Sequence, residues 1–291
     1  MYTITVEPTL ETIMSDAGLD RLAEQGIAKL SIPYEFYDLA DSVIIARARA
    51  MSARGMRITT CHLPYGGNND MFSPCSALPE LRKATILFWR HYLRKFALTG
   101  MHATPMHTGG CMQQFVPGVY RDYLADTLEQ IIPDAAASGV IIALENTFYS
   151  NPPKFEEMKS TPIGNAAYLN DDCCIVADFV VLQRHPNIRL CLDIGHTNLY
   201  GRDVMHDVAR MAPHAALLHI HGNDGLSDRH YRTNIGNIPW REVAAHLKAI
   251  GYNGEIFAEI LNDPNPEIAA ALNKPEQLGI TMRAAQADIP A

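Results

Sequence analysis

Four ionisable residues stand where apolar runs of the chain end. Glu145 closes VIIALE, Asp193 closes IRLCLD, His221 follows AALLHI and Glu259 closes GEIFAE. On an extended strand, residues two apart share a face. Ala143 therefore goes with Glu145, Cys191 with Asp193, His219 with His221, and Phe257 with Glu259. The second member of each pair lies nearer the C-terminal mouth of the strand. Three carboxylates and one imidazole brought to one opening make a hard donor set. It suits a divalent ion such as Mn²⁺, Mg²⁺, Co²⁺ or Zn²⁺, with room left for substrate oxygens. A single strand-end carboxylate is commonly structural, whereas four such residues on four strands point to a site. On this count His219 sits a layer deeper and reads as a core or supporting residue.

Eight short apolar runs carry these residues and their neighbours: 3–8, 29–34, 57–64, 102–109, 140–147, 188–196, 215–223 and 254–261. Amphipathic stretches alternate with them, such as PELRKATILFWRHYLRKFAL after the third and YRDYLADTLEQIIPDAAASG after the fourth. PWREVAAHLKAIG, after the seventh, has Pro239 in a first-turn position and stops at Gly251. Strand–helix alternation implies parallel strands with crossover helices. Eight units in 291 residues predict an α/β fold of the (β/α)8 TIM-barrel type, a single domain over 1–291. A doubly wound open sheet is the alternative. Gly/Asn/Pro clusters at 66–74, 150–155 and 262–267 each follow a candidate strand and read as loops of the active-site face.

Composition narrows the function classes. Hydrophobic residues make up 47% and charged residues 19%, a globular balance. The net charge of −8 argues against a nucleic-acid backbone as partner. Cys61, Cys75, Cys111, Cys173, Cys174 and Cys191 show no CxxC pair and read as reduced thiols. No signal-peptide pattern and no membrane-spanning apolar run is evident, so a cytoplasmic protein is expected.

The words around the four residues occur in a set order: ALENT (143–147), LCLDIGH (190–196), HIHGND (219–224), DRH (228–230), IGNIPW (235–240) and YNGEIFAEI (252–260). Together they resemble the xylose isomerase-like TIM-barrel superfamily, which includes sugar isomerases and epimerases and the endonuclease IV group. The resemblance implies metal ligands at Glu145, Asp193, His221 and Glu259. His221 is chosen over His219 because it is nearer the mouth and precedes the matching Gly-Asn-Asp. HLPYGGN (62–68) and MHTGG (106–110) resemble stretches of endonuclease IV, with Thr108 in place of a proline. With His62, His107, His196, Asp228 and His230 added, every residue type of that group's three-zinc cluster has a counterpart.

Two features favour the sugar branch. The short spacing from His221 to Asp228 resembles its loop, and residues 64–80 contain no Lys or Arg for phosphate contacts. The expected activity is a metal-dependent isomerase, epimerase or related lyase acting on a small sugar or polyol through an enediolate. The resemblance nominates Glu145 and Glu259 as the proton-transferring pair. His62, His107, His196, Asp228, His230 and Trp240 are candidate substrate contacts. Tyr65, Phe148 and Tyr149 are candidate apolar walls, each with core or loop packing as its plainer role. An endonuclease IV-like multi-zinc phosphodiesterase and a non-catalytic sugar-binding barrel are the competing readings. No nucleic-acid or membrane partner is expected, and a homo-oligomer is compatible with the chain.

Overall fold

The computed structural model describes residues 4–64, 73–76, 78–108, 117–147, 179–180 and 183–261. Eight parallel strands lie within the eight apolar runs: β1 Ile4–Thr5, β2 Lys29–Ser31, β3 Arg57–Thr60, β4 Ala103–His107, β5 Ile141–Glu145, β6 Ile188–Asp193, β7 Ala215–Ile220 and β8 Glu255–Ala258. Their order in the sheet is β1-β8-β7-β6-β5-β4-β3-β2. A parallel bridge between Val6 and Leu30 joins the two ends. Val6 N donates to Lys29 O at 3.2 Å and Ser31 N to Val6 O at 2.7 Å. The sheet is thus a (β/α)8 barrel, not an open doubly wound layer.

Among the described residues, whole helices lie in every connection except that between β5 and β6. α1 spans Leu10–Met14, α2 Asp16–Glu24, α3 Asp41–Ser52, α4 Pro79–Phe96, α5 Pro117–Ser138, α6 Ile194–Thr197, α7 Val204–Met211 and α8 Trp240–Ala249. α4 shows the local logic. Pro79 and Glu80 occupy its first turn and Arg94 and Lys95 its last, matching the helix dipole. Its buried side chains, Ile86, Trp89, Leu93 and Phe96, recur at helical spacing and form one stripe against the sheet. Gly139, with φ +70, turns the chain from α5 into β5, a conformation costly for any side chain.

Strand alternation divides the core. Ile142, Leu144, Leu190, Leu192, Leu218 and Ile256 point outward into the large helix–sheet core. Ala143, Cys191, Leu217 and Phe257 form a separate cluster that fills the barrel interior. The N-terminal end of the barrel is closed by ions: Glu255 takes Lys29 Nζ at 2.6 Å and Arg57 Nη2 at 2.9 Å. Cys61, Cys75 and Cys191 are buried and take part in no disulfide among the described residues, while Cys111, Cys173 and Cys174 fall outside them. Among the described residues no helix is long and apolar enough to cross a membrane.

Candidate metal centre

The interior cluster predicts what lies one layer above it. Two residues on from Ala143, Cys191, Leu217 and Phe257 stand Glu145, Asp193, His219 and Glu259. Ligand atoms of these four lie within 4.8 Å of one another. His219 Nδ1 is 2.9 Å from Glu259 Oε2, 3.2 Å from Glu145 Oε1 and 3.7 Å from Asp193 Oδ2.

The imidazole in this set belongs to His219, where the sequence reading put His221. The reason is register. β6 and β7 pair with a shift between Leu190 and Cys191, which sets Asp193 level with His219. His221 lies two residues further along, past the end of β7, about 6–7 Å nearer the mouth. There its Nε2 reaches Asp193 Oδ1 at 3.2 Å and Asp228 Oδ1 at 3.5 Å. Its ring stacks on His230 with centroids 4.0 Å apart. A Cβ at Gly195 would stand 2.0 Å from His221 Cε1, so the glycine makes room for this ring.

The remaining candidates gather in two flanking groups. His62, His107 and Glu145 form one, and His196, His221, Asp228 and His230 the other. His62 Nε2 is 3.2 Å and His107 Nε2 3.6 Å from Glu145 Oε2. Asp228 Oδ2 is 2.7 Å from His230 Nε2 and 3.7 Å from His196 Nε2. A two-residue antiparallel contact, Gly222 with Tyr231, folds the intervening loop back so that Asp228 and His230 face the mouth. His230 adopts φ +48, unusual for a residue with a side chain. Trp240 opens α8 and packs half-buried against the outer hydrophobic core. Tyr65, Phe148 and Tyr149 lie outside the described residues.

Three histidines share one device. Nδ1 of His62 donates to Leu63 O at 2.8 Å, Nδ1 of His196 to Asn146 O at 2.8 Å, and Nδ1 of His230 to Glu259 O at 2.9 Å. A carbonyl accepts only, so it places the proton on Nδ1 and turns Nε2 toward the site. Asn146 does more. Its Oδ1 accepts from Asp193 N at 2.8 Å and its Nδ2 donates to Asp193 O at 2.9 Å, locking the end of β6 against β5. The sequence reading did not single out Asn146, although an Asn directly after a strand-end Glu is a visible signal.

Electrostatics follow from crowding. Burial alone would raise the carboxyl of Glu145, but His219, His62 and His107 hold it well below the usual carboxylate range. Asp193 and Glu259 are lowered in the same way, against burial, by the histidines facing them. Burial disfavours the charge on His196, yet Asp193, Asp228 and Glu145 lift it to about 10. His230 rises to about 9, with Asp228 and Glu259 outweighing burial. His107 goes the other way, pushed by burial down to about 4. Asp193 Oδ2, His219 Nδ1 and Glu259 Oε2 are buried without a hydrogen-bond partner. Polar atoms crowded in this way, on two carboxylates and an imidazole beside the Glu145 carboxylate, fit a divalent cation.

The chain is similar to known proteins over most of its length. The sequence model of a family described as xylose isomerase-like TIM barrel matches residues 19–278. A D-psicose 3-epimerase of Ruminiclostridium cellulolyticum is 26% identical over 253 residues, 83% of this chain and 76% of that protein. An uncharacterized protein of Methanocaldococcus jannaschii is 27% identical over 211 residues, 69% of this chain and 64% of its own length. Among solved structures, D-psicose 3-epimerase from Clostridium cellulolyticum H10 with D-tagatose superposes with a TM-score of 0.74 at 15% identity, covering 99% of this chain and 100% of that one. The 3-keto-D-glucoside 4-epimerase from E. coli superposes equally, TM-score 0.74 at 14% identity over 99% and 100% of the two chains.

Proposed function

Because the chain belongs to the xylose isomerase-like TIM-barrel family, we propose that it is a metal-dependent isomerase or epimerase of a small sugar or polyol derivative. The observation that carries this reading is the convergence of Glu145, Asp193, His219 and Glu259 within 4.8 Å at the mouth of the barrel. These four would hold the ion, with His219 in the place first expected of His221. Bound there, a divalent cation would supply Lewis acidity to the substrate's carbonyl, making the neighbouring C–H easier to deprotonate.

The residues do the rest. Glu145 ends β5 and Glu259 follows β8, so their carboxylates reach the site from different walls of the barrel. One takes the proton from the carbon beside the carbonyl, leaving an enediolate, and the other returns a proton. Return to the opposite face of the same carbon is epimerisation, and return to the adjacent carbon is isomerisation. His196 and His230 flank Asp228, with Nε2 at 3.7 and 2.7 Å from its Oδ2, and fix its carboxylate at the edge of the site where substrate oxygens would lie. His62 and His107 line the Glu145 side. Trp240 is assigned a packing role and not a sugar contact.

The test is turnover of ketoses, D-psicose, D-fructose and D-tagatose, by Mn²⁺-loaded protein in D₂O. Product carrying deuterium at the carbon next to the carbonyl supports the reading. Glu145→Gln and Glu259→Gln should each lose about 10²-fold or more in turnover, as removal of a general base does. Full retention of a carbon-bound label, with both variants active, defeats the enediolate route.

A second reading, an endonuclease IV-like multi-zinc phosphodiesterase, is favoured by one observation. His62, His196 and His230 all have Nδ1 tied to a carbonyl and Nε2 turned inward, in two groups flanking the central four. Metal analysis separates the readings: one ion per chain for the first, three clustered zincs with chelator-sensitive nicking of an abasic duplex for the second.

A further inference from the structure

We propose that Glu7, at the mouth end of β1, contacts the substrate and accepts a hydrogen bond from a hydroxyl of a neutral, unphosphorylated sugar. The proposal rests on the sugar isomerase or epimerase reading above and adds the chemical character of the substrate's far end.

The placement comes from register. Thr5 is fully buried, and its Oγ1 lies 3.1 Å from Thr59 Oγ1 on β3. β2 stands between those two strands, so the contact crosses the barrel interior. Glu7 is two residues on and therefore continues the inward face one layer nearer the mouth. β1 pairs with β8 as Ile4 to Ile256 and Thr5 to Phe257, a register that carries Glu7 to the level of Glu259. In the ring of eight strands β1 lies opposite β5, so Glu7 faces the wall that bears Glu145.

The side chain is held but not used up. Ser31 Oγ donates to Glu7 Oε2 at 2.7 Å. Among the described residues Oε1 has no partner. Glu7 is open to solvent, yet enough protein surrounds it for burial to raise its pKa, opposed by the Ser31 hydroxyl. Glu259 and Glu35 push in the same direction as burial, and His62 against it. Among the described residues, the groups that act most strongly on it include no lysine or arginine. Lys29, its neighbour on β2, is committed to Glu255 at the other end of the barrel. A carboxylate with one oxygen tied to a hydroxyl, the other unpartnered among the described residues and no cation of those residues beside it is an acceptor for a donor. A sugar hydroxyl supplies one. A phosphate or carboxylate at this end would meet the Glu7 carboxylate and be repelled.

The experiment compares Mn²⁺-loaded wild-type protein with Glu7→Gln and Glu7→Ala on D-psicose, D-fructose, D-tagatose and their 6-phosphates. Ser31→Ala serves as a second route, because it keeps the charge and removes the tether. For the best free ketose, kcat/KM should fall about tenfold or more in the Glu7 variants, chiefly through KM. Metal content should stay at the wild-type level, and the preference for free over phosphorylated sugar should narrow. Ser31→Ala should raise KM by a smaller factor. A purely structural Glu7 would leave KM and that preference unmoved in folded protein, and this outcome overturns the assignment while the enzyme reading stands. Wild-type preference for the phosphates overturns it as well. Wild-type protein inactive on every sugar in the set defeats the enzyme reading itself, and the assignment with it.

Discussion

The carboxylates of Glu145, Asp193 and Glu259 face imidazoles at 2.9–3.9 Å, and without a cation it is protons that balance their charge. Burial disfavours the charge on His219, the imidazole of the central set, yet Cys191, Glu145 and Glu259 hold it well above the usual imidazole range, so it keeps its proton at neutral pH. Wherever a cation takes an imidazole nitrogen, the proton there must leave. Binding of Mn²⁺ or Zn²⁺ should therefore release protons, and apparent affinity should rise with pH from 6 to 8, about tenfold per unit for each proton displaced. Calorimetry in buffers of different ionisation enthalpy counts them. An affinity flat with pH would mean that His219 keeps its proton when the ion binds. A second residue-scale outcome concerns Gly195. His221 is fully buried and stacked on His230, so it has little freedom to yield to a methyl group 2.0 Å from its Cε1. Gly195→Ala should cost about 1–3 kcal/mol in denaturant unfolding and turn His221 away from Asp193. A variant as stable as wild type, with His221 in place, would show that the pocket has slack.

At the scale of elements, α4 and α5 are clamped by one acid. Asp134 takes Arg90 Nε at 2.5 Å on one oxygen and Arg94 Nε at 2.6 Å on the other. Burial would raise its carboxyl, but the two guanidinium groups bring it below its ordinary value. A lowered folded-state pKa stabilises above the unfolded value, about 4, and the gain is lost as pH falls through the folded one. Asp134→Asn should thus cost about 1–2 kcal/mol at pH 7, discounted for the exposure of the arginines, and almost nothing near pH 2. Unfolding curves at the two pH values decide it; an equal loss at both would mark a packing effect. Strands were the most legible elements because their apolar runs are long compared with their turns, and all eight lie where the pattern places them. Glu145, Asp193 and Glu259 were legible for the same reason, since each ends such a run. The choice between His219 and His221 was not. It depends on a register shift between Leu190 and Cys191, a backbone irregularity with no side-chain signature. Glu7 went unread because a run of six residues, TITVEP, does not announce which of its members ends facing a cavity.

For the whole molecule, the central set gathers three carboxylates on one interior layer, and their repulsion is a cost the folded barrel bears whenever no cation balances it. An ion bound only by the folded state stabilises it by mass action, about 2.7 kcal/mol at a concentration a hundredfold above Kd. Chelation should lower the Tm, and Mn²⁺ should restore it in a concentration-dependent way. A Tm indifferent to chelator and metal would leave the set without an ion to hold. The seam of the barrel bears on how this site comes into being. β1 is held on one side by β8, Ile4 against Ile256, and on the other by the two hydrogen bonds around Val6. No other strand pair spans so much of the chain, so its loop-closure entropy is the largest to be met. Folding through nearer contacts first leaves this pairing for late in the sequence of events. During synthesis β1 waits unpaired on that side until β8 has been made, and Glu259 arrives only then. The cation trap and the wall bearing Glu7 are completed in one step with ring closure, so a nascent chain has no finished centre in which to capture an ion.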